Sequence, residues 1–136
     1  MGPMGEPTMR YVLVVDANEL VLRGLARALH SPERLVLTTT RVAEAKCFVD
    51  EAVPEVVITD LKLPEQSGFH LIEWIRARLP TLPVYVFTGL DSWRIAVRCG
   101  RLGATDYFVK ARDTSALIRT VGGRPDPAAT MLEWRC

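Results

Sequence analysis

Cysteine, long apolar runs and an excess of one charge sign are all scarce in this sequence of 136 residues. Its 3 cysteines (Cys47, Cys99 and Cys136) are scattered without CxxC spacing, which argues against a disulfide framework or a zinc site and favours a reducing cytoplasm. The longest apolar runs have about five residues, whereas a membrane-spanning helix needs about 20. Lys and Arg number 17 against 16 Asp and Glu, so neither a membrane protein nor a direct nucleic-acid binder is predicted.

The length and the 49% share of hydrophobic residues predict one folded domain with a substantial core. Glycine and proline recur through residues 1–9, which we predict to be a disordered leader. Residues 10–121 carry regular apolar patterns and form the predicted domain. Glycine and proline cluster again at 122–127, so residues 122–136 are predicted to be a tail or the start of a linker.

Short apolar runs alternate along the chain with segments whose apolar residues recur at three- and four-residue spacing. The predicted strands are Tyr11–Val15, Arg34–Thr39, Val56–Thr59, Val84–Phe87 and Tyr107–Val109. The predicted helices are Leu20–Leu29, Val42–Ala52, Phe69–Leu79, Ser92–Leu102 and Thr114–Val121, the last with Asp113 as its cap.

This strict alternation predicts an α/β domain, because parallel strands need crossover helices that cover both faces of the sheet. With right-handed crossovers, the expected architecture is a doubly wound five-stranded parallel sheet of flavodoxin-like order 2-1-3-4-5. The strand order reverses between strands 1 and 3, so a ligand crevice is expected at their carboxyl ends.

Polar residues stand where four of the predicted strands end: Asp16, Asp60, Thr88 and Lys110. In the expected topology these positions surround one crevice. Two neighbouring carboxylates repel each other, so a bound cation or the lysine must compensate their charge. Carboxylate oxygens suit Mg²⁺, and a lysine with a hydroxyl suits phosphate. The residues therefore predict a metal-assisted phosphoryl site with a carboxylate as a possible acceptor.

Four segments carry a resemblance to a known family: VLVVDAN at 12–18, ITDLKLPEQSG at 58–68, VFTG at 86–89 and GATDYFVK at 103–110. In this order and spacing, the sequence resembles the receiver domains of bacterial two-component response regulators. The resemblance implies a regulatory phosphoacceptor, not an enzyme in the ordinary sense, although such a domain assists its own phosphorylation and dephosphorylation. It also implies a histidine kinase or phosphotransfer protein as the phosphoryl donor.

The resemblance assigns a role to each candidate site residue. Asp60 is implied to be the phosphoacceptor, with Asp16 near a Mg²⁺ ion that also takes the backbone carbonyl of Lys62. Thr88 and Lys110 are implied to bind the phosphoryl group. A further aromatic residue, Tyr107, matches the one that turns inward when the threonine moves. The expected output is a downstream protein or a homodimer, bound through the face of the fourth helix, fifth strand and fifth helix.

Two positions depart from the family pattern. Ala17 stands where the family has a second acidic metal ligand, so Mg²⁺ binding is expected to be weak. Ala111 follows the lysine where the family has a proline, and a trans bond is expected there because a cis bond before alanine costs about 3 kcal/mol.

These departures keep other interpretations open. One is a pseudo-receiver, a protein-interaction module that signals without phosphorylation. Taken singly, two of the residues also have purely structural interpretations: Lys110 as a solvated strand-end lysine or an ion-pair partner of Asp60, and Asp16 as the cap of the first helix. A small phosphatase-type or nucleotide-binding enzyme on a similar sheet is disfavoured, because neither a GxGxxG segment nor a Walker lysine motif is present.

Overall fold

The structure, a computed structural model, describes residues 10–123. The predicted leader 1–9 and nearly all of the predicted tail lie outside the described residues, so both stay predictions. The strands are β1 (Arg10–Val15), β2 (Arg34–Thr39), β3 (Val56–Thr59), β4 (Val84–Thr88) and β5 (Asp106–Val109). The helices are α1 (Glu19–Leu29), α2 (Val42–Glu51), α3 (Gly68–Arg78), α4 (Trp93–Leu102) and α5 (Thr114–Val121).

The five strands form one parallel sheet in the order β2-β1-β3-β4-β5, which confirms the predicted doubly wound architecture. Burial explains why the central strands are continuously apolar. All four residues of β3 are buried, and so are residues 11–15 of β1, because helices cover both faces there. The edge strand β2 has exposed and half-buried residues between its buried ends.

The alternation of side chains along each strand divides the core into two layers. Leu13 and Val15 of β1 point into a layer that α2, α3 and α4 cover. Their neighbours Val12 and Val14 point into the opposite layer, beneath α1 and α5. None of the helices within residues 10–123 is long and apolar enough to cross a membrane.

Three helices begin at a polar residue whose side chain accepts a backbone N–H, namely Asn18 for α1, Ser67 for α3 and Ser92 for α4. The prediction that Asp113 caps α5 in this way is wrong. Asp113 occupies the N-cap position, but its Oδ2 accepts the Val109 N–H at 3.0 Å instead. Val109 lies in an edge strand, where an outward N–H has no neighbouring strand to pair with, and the carboxylate satisfies it.

The side chain of Arg76 fixes the end of α4 against α3. Its Nε and Nη2 donate to the Gly103 carbonyl at 2.9 and 2.6 Å, and its Nη1 donates to the carbonyls of Leu79 and Pro80 at 3.0 and 2.8 Å. Gly103 ends α4 with φ of 111°, a left-handed conformation that glycine adopts without strain. These hydrogen bonds therefore fix the position of the α4 C-terminus relative to α3, just before β5 begins.

Candidate functional site

Three of the four predicted strand-end side chains meet at the carboxyl ends of the strands. Asp16 follows β1, Asp60 follows β3 and Lys110 follows β5. The Lys110 Nζ lies 2.8 Å from Asp16 Oδ2 and 2.8 Å from Asp60 Oδ2. The side chains are 12% exposed for Lys110, 10% for Asp60 and 2% for Asp16, so Asp60 is the more accessible of the two carboxylates. One ammonium thus bridges two carboxylates across the crevice.

Asp16 is held by backbone groups on both sides. Its N–H donates to the Thr39 carbonyl at 3.1 Å, and its Oδ1 accepts the Asn18 N–H at 2.9 Å. Its Oδ2 is buried and, among the described residues, has the Lys110 ammonium near it but no well-directed hydrogen bond. Burial raises the pKa of Asp16 despite the opposing effect of Lys110. Asn18, not Asp16, caps α1, so the helix-capping interpretation of Asp16 does not hold.

Asp60 is positioned by the backbone around it. Its N–H donates to the Val15 carbonyl at 2.9 Å, and its Oδ1 accepts the Leu61 N–H at 2.6 Å. The loop after Asp60 closes where the Gly68 N–H donates to the Leu61 carbonyl at 2.9 Å. A Cβ on Gly68 would stand 2.0 Å from the Asp60 carbonyl oxygen, so only glycine fits there. This requirement was not deduced from the sequence, although Gly68 ends one of the motifs.

Lys110 provides the internal countercharge of the crevice. Burial by itself would lower the pKa of its ammonium. The close ion pair with Asp16, the hydrogen bond to Asp60 and the charges of both carboxylates outweigh burial and raise that pKa. The lysine is therefore charged at neutral pH. When Asp16 is ionised, two carboxylates against one ammonium give the crevice a net negative charge, and such a charge favours a bound cation.

The side chains of the crevice offer Mg²⁺ two carboxylates and no further acidic ligand. Asp16 Oδ2 is a buried carboxylate oxygen without a directed hydrogen bond, and Asp60 lies across the same lysine. Ala17 is exposed and offers no side-chain ligand. Within residues 10–123, no group of three or more His, Cys, Asp or Glu residues is arranged to hold a metal ion. Mg²⁺ commonly uses one or two carboxylates and keeps several waters, so two carboxylates suffice.

Thr88 and Tyr107 border the loop between β4 and α4. The Thr88 carbonyl accepts the Lys110 N–H at 2.8 Å, which ties the two strand ends together. The Thr88 hydroxyl accepts a hydrogen bond from the Leu90 N–H at 3.3 Å. Its contact is thus with the backbone of the loop after β4 and not with Asp16 or Asp60. The Tyr107 hydroxyl donates to the Leu90 carbonyl, and burial raises the pKa of this tyrosine. Both residues predicted to act as a switch are thus hydrogen-bonded to the backbone of the same loop residue, Leu90.

The turn after Lys110 is stabilised by residues whose role the sequence pattern did not reveal. Within residues 10–123 every peptide bond is trans, including that before Ala111, as predicted. The Thr114 hydroxyl donates to the Lys110 carbonyl at 2.8 Å. On the outside, Arg112 Nη1 lies 3.1 Å from Asp91 Oδ2 and links this turn to the loop after β4.

Comparisons with known proteins agree with this geometry. A family described as the response regulator receiver domain matches residues 12–122. The photosynthetic apparatus regulatory protein RegA of Cereibacter sphaeroides is 33% identical over 122 residues, which cover 87% of this chain and 66% of that protein. The transcriptional regulatory protein PhoP of Escherichia coli is 33% identical over 99 residues, covering 73% of this chain and 44% of PhoP. The chain therefore spans two thirds or less of the length of these relatives.

Solved structures show the same fold. The chemotaxis response regulator CheY4 of Vibrio cholerae superimposes with a TM-score of 0.75 at 25% identity, covering 84% of this chain and 97% of CheY4. The BeF3-activated DrrB receiver domain gives a TM-score of 0.74 at 25% identity, with coverages of 84% and 95%. None of these relatives supports the pseudo-receiver alternative. The chain belongs to the response regulator receiver domain family, the regulatory domains of two-component phosphorelay signalling.

Proposed function

We propose that Asp60 accepts a phosphoryl group from a phosphohistidine of a histidine kinase or phosphotransfer protein. The observation that supports this most strongly is the bridge by which Lys110 Nζ lies 2.8 Å from both Asp60 and Asp16. An incoming phosphoryl group needs a nucleophile and a positive charge at one place, and these residues supply both.

In this reaction an Asp60 carboxylate oxygen forms a bond to phosphorus while the bond from phosphorus to the histidine nitrogen breaks. The Leu61 N–H holds Asp60 Oδ1, which leaves Oδ2, the oxygen beside Lys110, as the attacking atom. Lys110 then neutralises charge on the transferred group, and the Thr88 hydroxyl binds one of its oxygens. The same arrangement assists later hydrolysis of the acyl phosphate by water.

Asp16, Asp60 and the backbone carbonyl of Lys62 are the groups that would hold Mg²⁺. When bound, this ion would neutralise part of the negative charge of the phosphoryl group, as Lys110 does. Its affinity is low in this chain because Ala17 supplies no carboxylate.

The proposed output begins at the loop after β4. Phosphorylation replaces the single charge of the Asp60 carboxylate with a phosphoryl group that carries about −1.5 to −2 beside this loop. The Thr88 hydroxyl then releases the Leu90 N–H, from which it accepts, and donates its own hydrogen to a phosphoryl oxygen. Tyr107 follows because it is hydrogen-bonded to the same residue, Leu90. The face of α4, β5 and α5 thereby shifts between two packings, one of which binds a downstream protein or a second copy of the chain.

Incubation with acetyl phosphate and Mg²⁺, followed by intact-mass measurement, tests the acceptor. The wild-type chain gains the mass of one phosphoryl group, and Asp60→Asn gains none. Asp50→Asn, which changes an exposed carboxylate on α2, is the matched control and gains the same mass as the wild type. An unmodified wild-type chain with an intact circular dichroism spectrum overturns the proposal.

A second prediction concerns Ala17→Asp. The new carboxylate adds a metal ligand beside Asp16, so the Mg²⁺ affinity measured by calorimetry increases about tenfold. Ala17→Asn, which has nearly the same shape without the charge, produces a much smaller increase. Equal Mg²⁺ affinities for the wild type and Ala17→Asp contradict our explanation of the weak site.

A further inference from the structure

Lys46 of α2 and His70 of α3 form a contact that the phosphoryl site does not use. The Lys46 Nζ lies 2.6 Å from the His70 Nε2, and both side chains are partly exposed. A lysine ammonium carries only donors, so Nε2 accepts the hydrogen bond and the imidazole is neutral, with its own hydrogen on Nδ1. An amine and a base thus lie within hydrogen-bond distance, which is the arrangement that activates a nucleophile.

The other two lysines of the sequence have different surroundings. Lys110 lies 2.8 Å from the carboxylates of Asp16 and Asp60, and these negative charges retain its proton. Lys62 is exposed to solvent in the loop after β3. Among the described residues, no carboxylate lies within ion-pair distance of Lys46. Lys46 is therefore the lysine whose hydrogen-bond partner can take a proton from it.

The ring of Trp74 and a second cation complete the surroundings of this amine. The Lys46 Nζ lies 5.5 Å from the centre of the Trp74 ring, and the Arg78 guanidinium carbon lies 4.1 Å from the same centre. The carboxylate of Asp50, one helical turn further along α2, is exposed and forms no ion pair with Lys46. The other charged group at the ring is thus a cation, which does not hold the lysine proton as a carboxylate would.

The contact is accessible on the side of the first turn of α2. A surface hollow of about 350 Å³ lies between this turn and the loop at 64–66, and Val42 and Ala43 line its helical side. Both precede Lys46 by about one helical turn and therefore share its side of α2. The His70 N–H donates to the Ser67 hydroxyl at 3.4 Å, which fixes the backbone of the base at the start of α3. A small donor molecule thus has room on the side of α2 that carries the amine.

We propose that Lys46 is a modification site, where His70 acts as a general base and an activated acyl donor, an acyl phosphate or a thioester, acylates the amine. One Nζ proton passes to His70 Nε2, and the amine nitrogen then attacks the acyl carbon. The C–N bond forms while the bond from that carbon to the phosphate oxygen or thioester sulfur breaks, and the leaving group keeps the electron pair. A second Nζ proton goes to the leaving group, and His70 returns its proton to water.

The product is an amide that retains one hydrogen on the former amine nitrogen. Acylation removes the positive charge of Lys46 from the surface between α2 and α3. This reaction goes beyond the proposed phosphorylation and does not require it, because none of its groups belongs to the crevice.

The test incubates the full chain at one fixed pH with acetyl phosphate or, in a second arm, with the acetyl thioester of N-acetylcysteamine. Peptide mass spectrometry follows the acetylation of each lysine with time. With at least one donor, Lys46 is acetylated about tenfold faster than the more exposed Lys62, because a positioned base accelerates proton transfer by this much or more. The donor that gives this ratio identifies the acyl class.

Two histidine variants assign the role of the base. In His70→Gln the amide oxygen still accepts a hydrogen bond but does not take up a proton, so the rate at Lys46 falls about tenfold, to that at Lys62. His30→Gln changes the other histidine of the sequence, which is exposed at the end of α1, and leaves the rate at Lys46 unchanged.

A wild-type chain in which Lys46 reacts no faster than Lys62 with either donor overturns the inference, and this comparison needs no variant to fold. An unchanged rate at Lys46 in a folded His70→Gln chain also overturns it, because the contact then only joins α2 to α3. Repeating the reaction with Asp60→Asn separates the two proposals. Acetylation of Lys46 continues there at the wild-type rate, even if Asp60 accepts no phosphoryl group.

Discussion

Replacing Lys110 with methionine lowers the free energy of unfolding at pH 7 by about 3 kcal/mol. The ammonium lies 2.8 Å from an oxygen of each of Asp16 and Asp60, and all three side chains are nearly buried. Without it, two carboxylates share a crevice that water solvates poorly. Removing one member of a buried ionic group costs more than the group itself contributes, because the remaining charges lose their compensation.

The loss depends on pH in a direction that the pKa of Asp16 determines. Burial raises this pKa above its ordinary value of 3.8, and Lys110 opposes that rise. A carboxyl group with a higher pKa in the folded chain stabilises the fold below its unfolded pKa, and this stabilisation is lost as the pH rises through its folded pKa. The difference between Lys110→Met and the wild type is thus largest at neutral pH and shrinks towards pH 3.8.

Urea unfolding at several pH values measures this difference. Lys62→Met is the matched control, because its side chain is exposed in the loop after Asp60 and its loss changes stability by less than about 0.5 kcal/mol. A loss in Lys110→Met that is no greater than in the control, or that does not vary with pH, contradicts the role of Lys110 as countercharge.

The second large effect is expected for Gly68→Ala. The added Cβ would lie 2.0 Å from the Asp60 carbonyl oxygen and 2.9 Å from the Leu61 Cα, and both are backbone atoms that a rotamer change cannot move. The loop must shift, at a cost of about 3 kcal/mol in the free energy of unfolding. The shift also displaces Asp60 from Lys110, so phosphorylation by acetyl phosphate slows in molecules that remain folded.

Gly100→Ala provides the contrast for this substitution. Gly100 lies in α4, and apart from its two chain neighbours and the backbone of its own helix, no atom of the described residues lies within 4 Å of its added Cβ. Alanine favours the helix there by about 1 kcal/mol, so this variant unfolds at a higher urea concentration than the wild type. Equal destabilisation by the two substitutions would show that close packing on Asp60 is not what requires Gly68.

The sequence was sufficient for the architecture, because each element had a clear period and a clear end. All ten elements begin and end within one residue of their predicted bounds. The positions of Asp16, Asp60 and Lys110 followed from topology alone, since parallel strands bring their carboxyl ends to one edge. Their roles in phosphoryl transfer depend on the family resemblance and stay proposals.

What the sequence did not reveal depends on contacts between distant segments. Asp113 looked like a helix cap, but it pairs with Val109 because an edge strand left an N–H unsatisfied. The demand for glycine at position 68 arises from a backbone approach that no local pattern encodes.

The most direct test of the central claim is to locate the phosphoryl group itself. After treatment with acetyl phosphate and Mg²⁺, borohydride reduces an aspartyl phosphate to homoserine, and tandem mass spectrometry identifies its position in the chain. Our account predicts homoserine at position 60 alone. Homoserine at position 16 or at any other aspartate, or none in a folded chain, contradicts it.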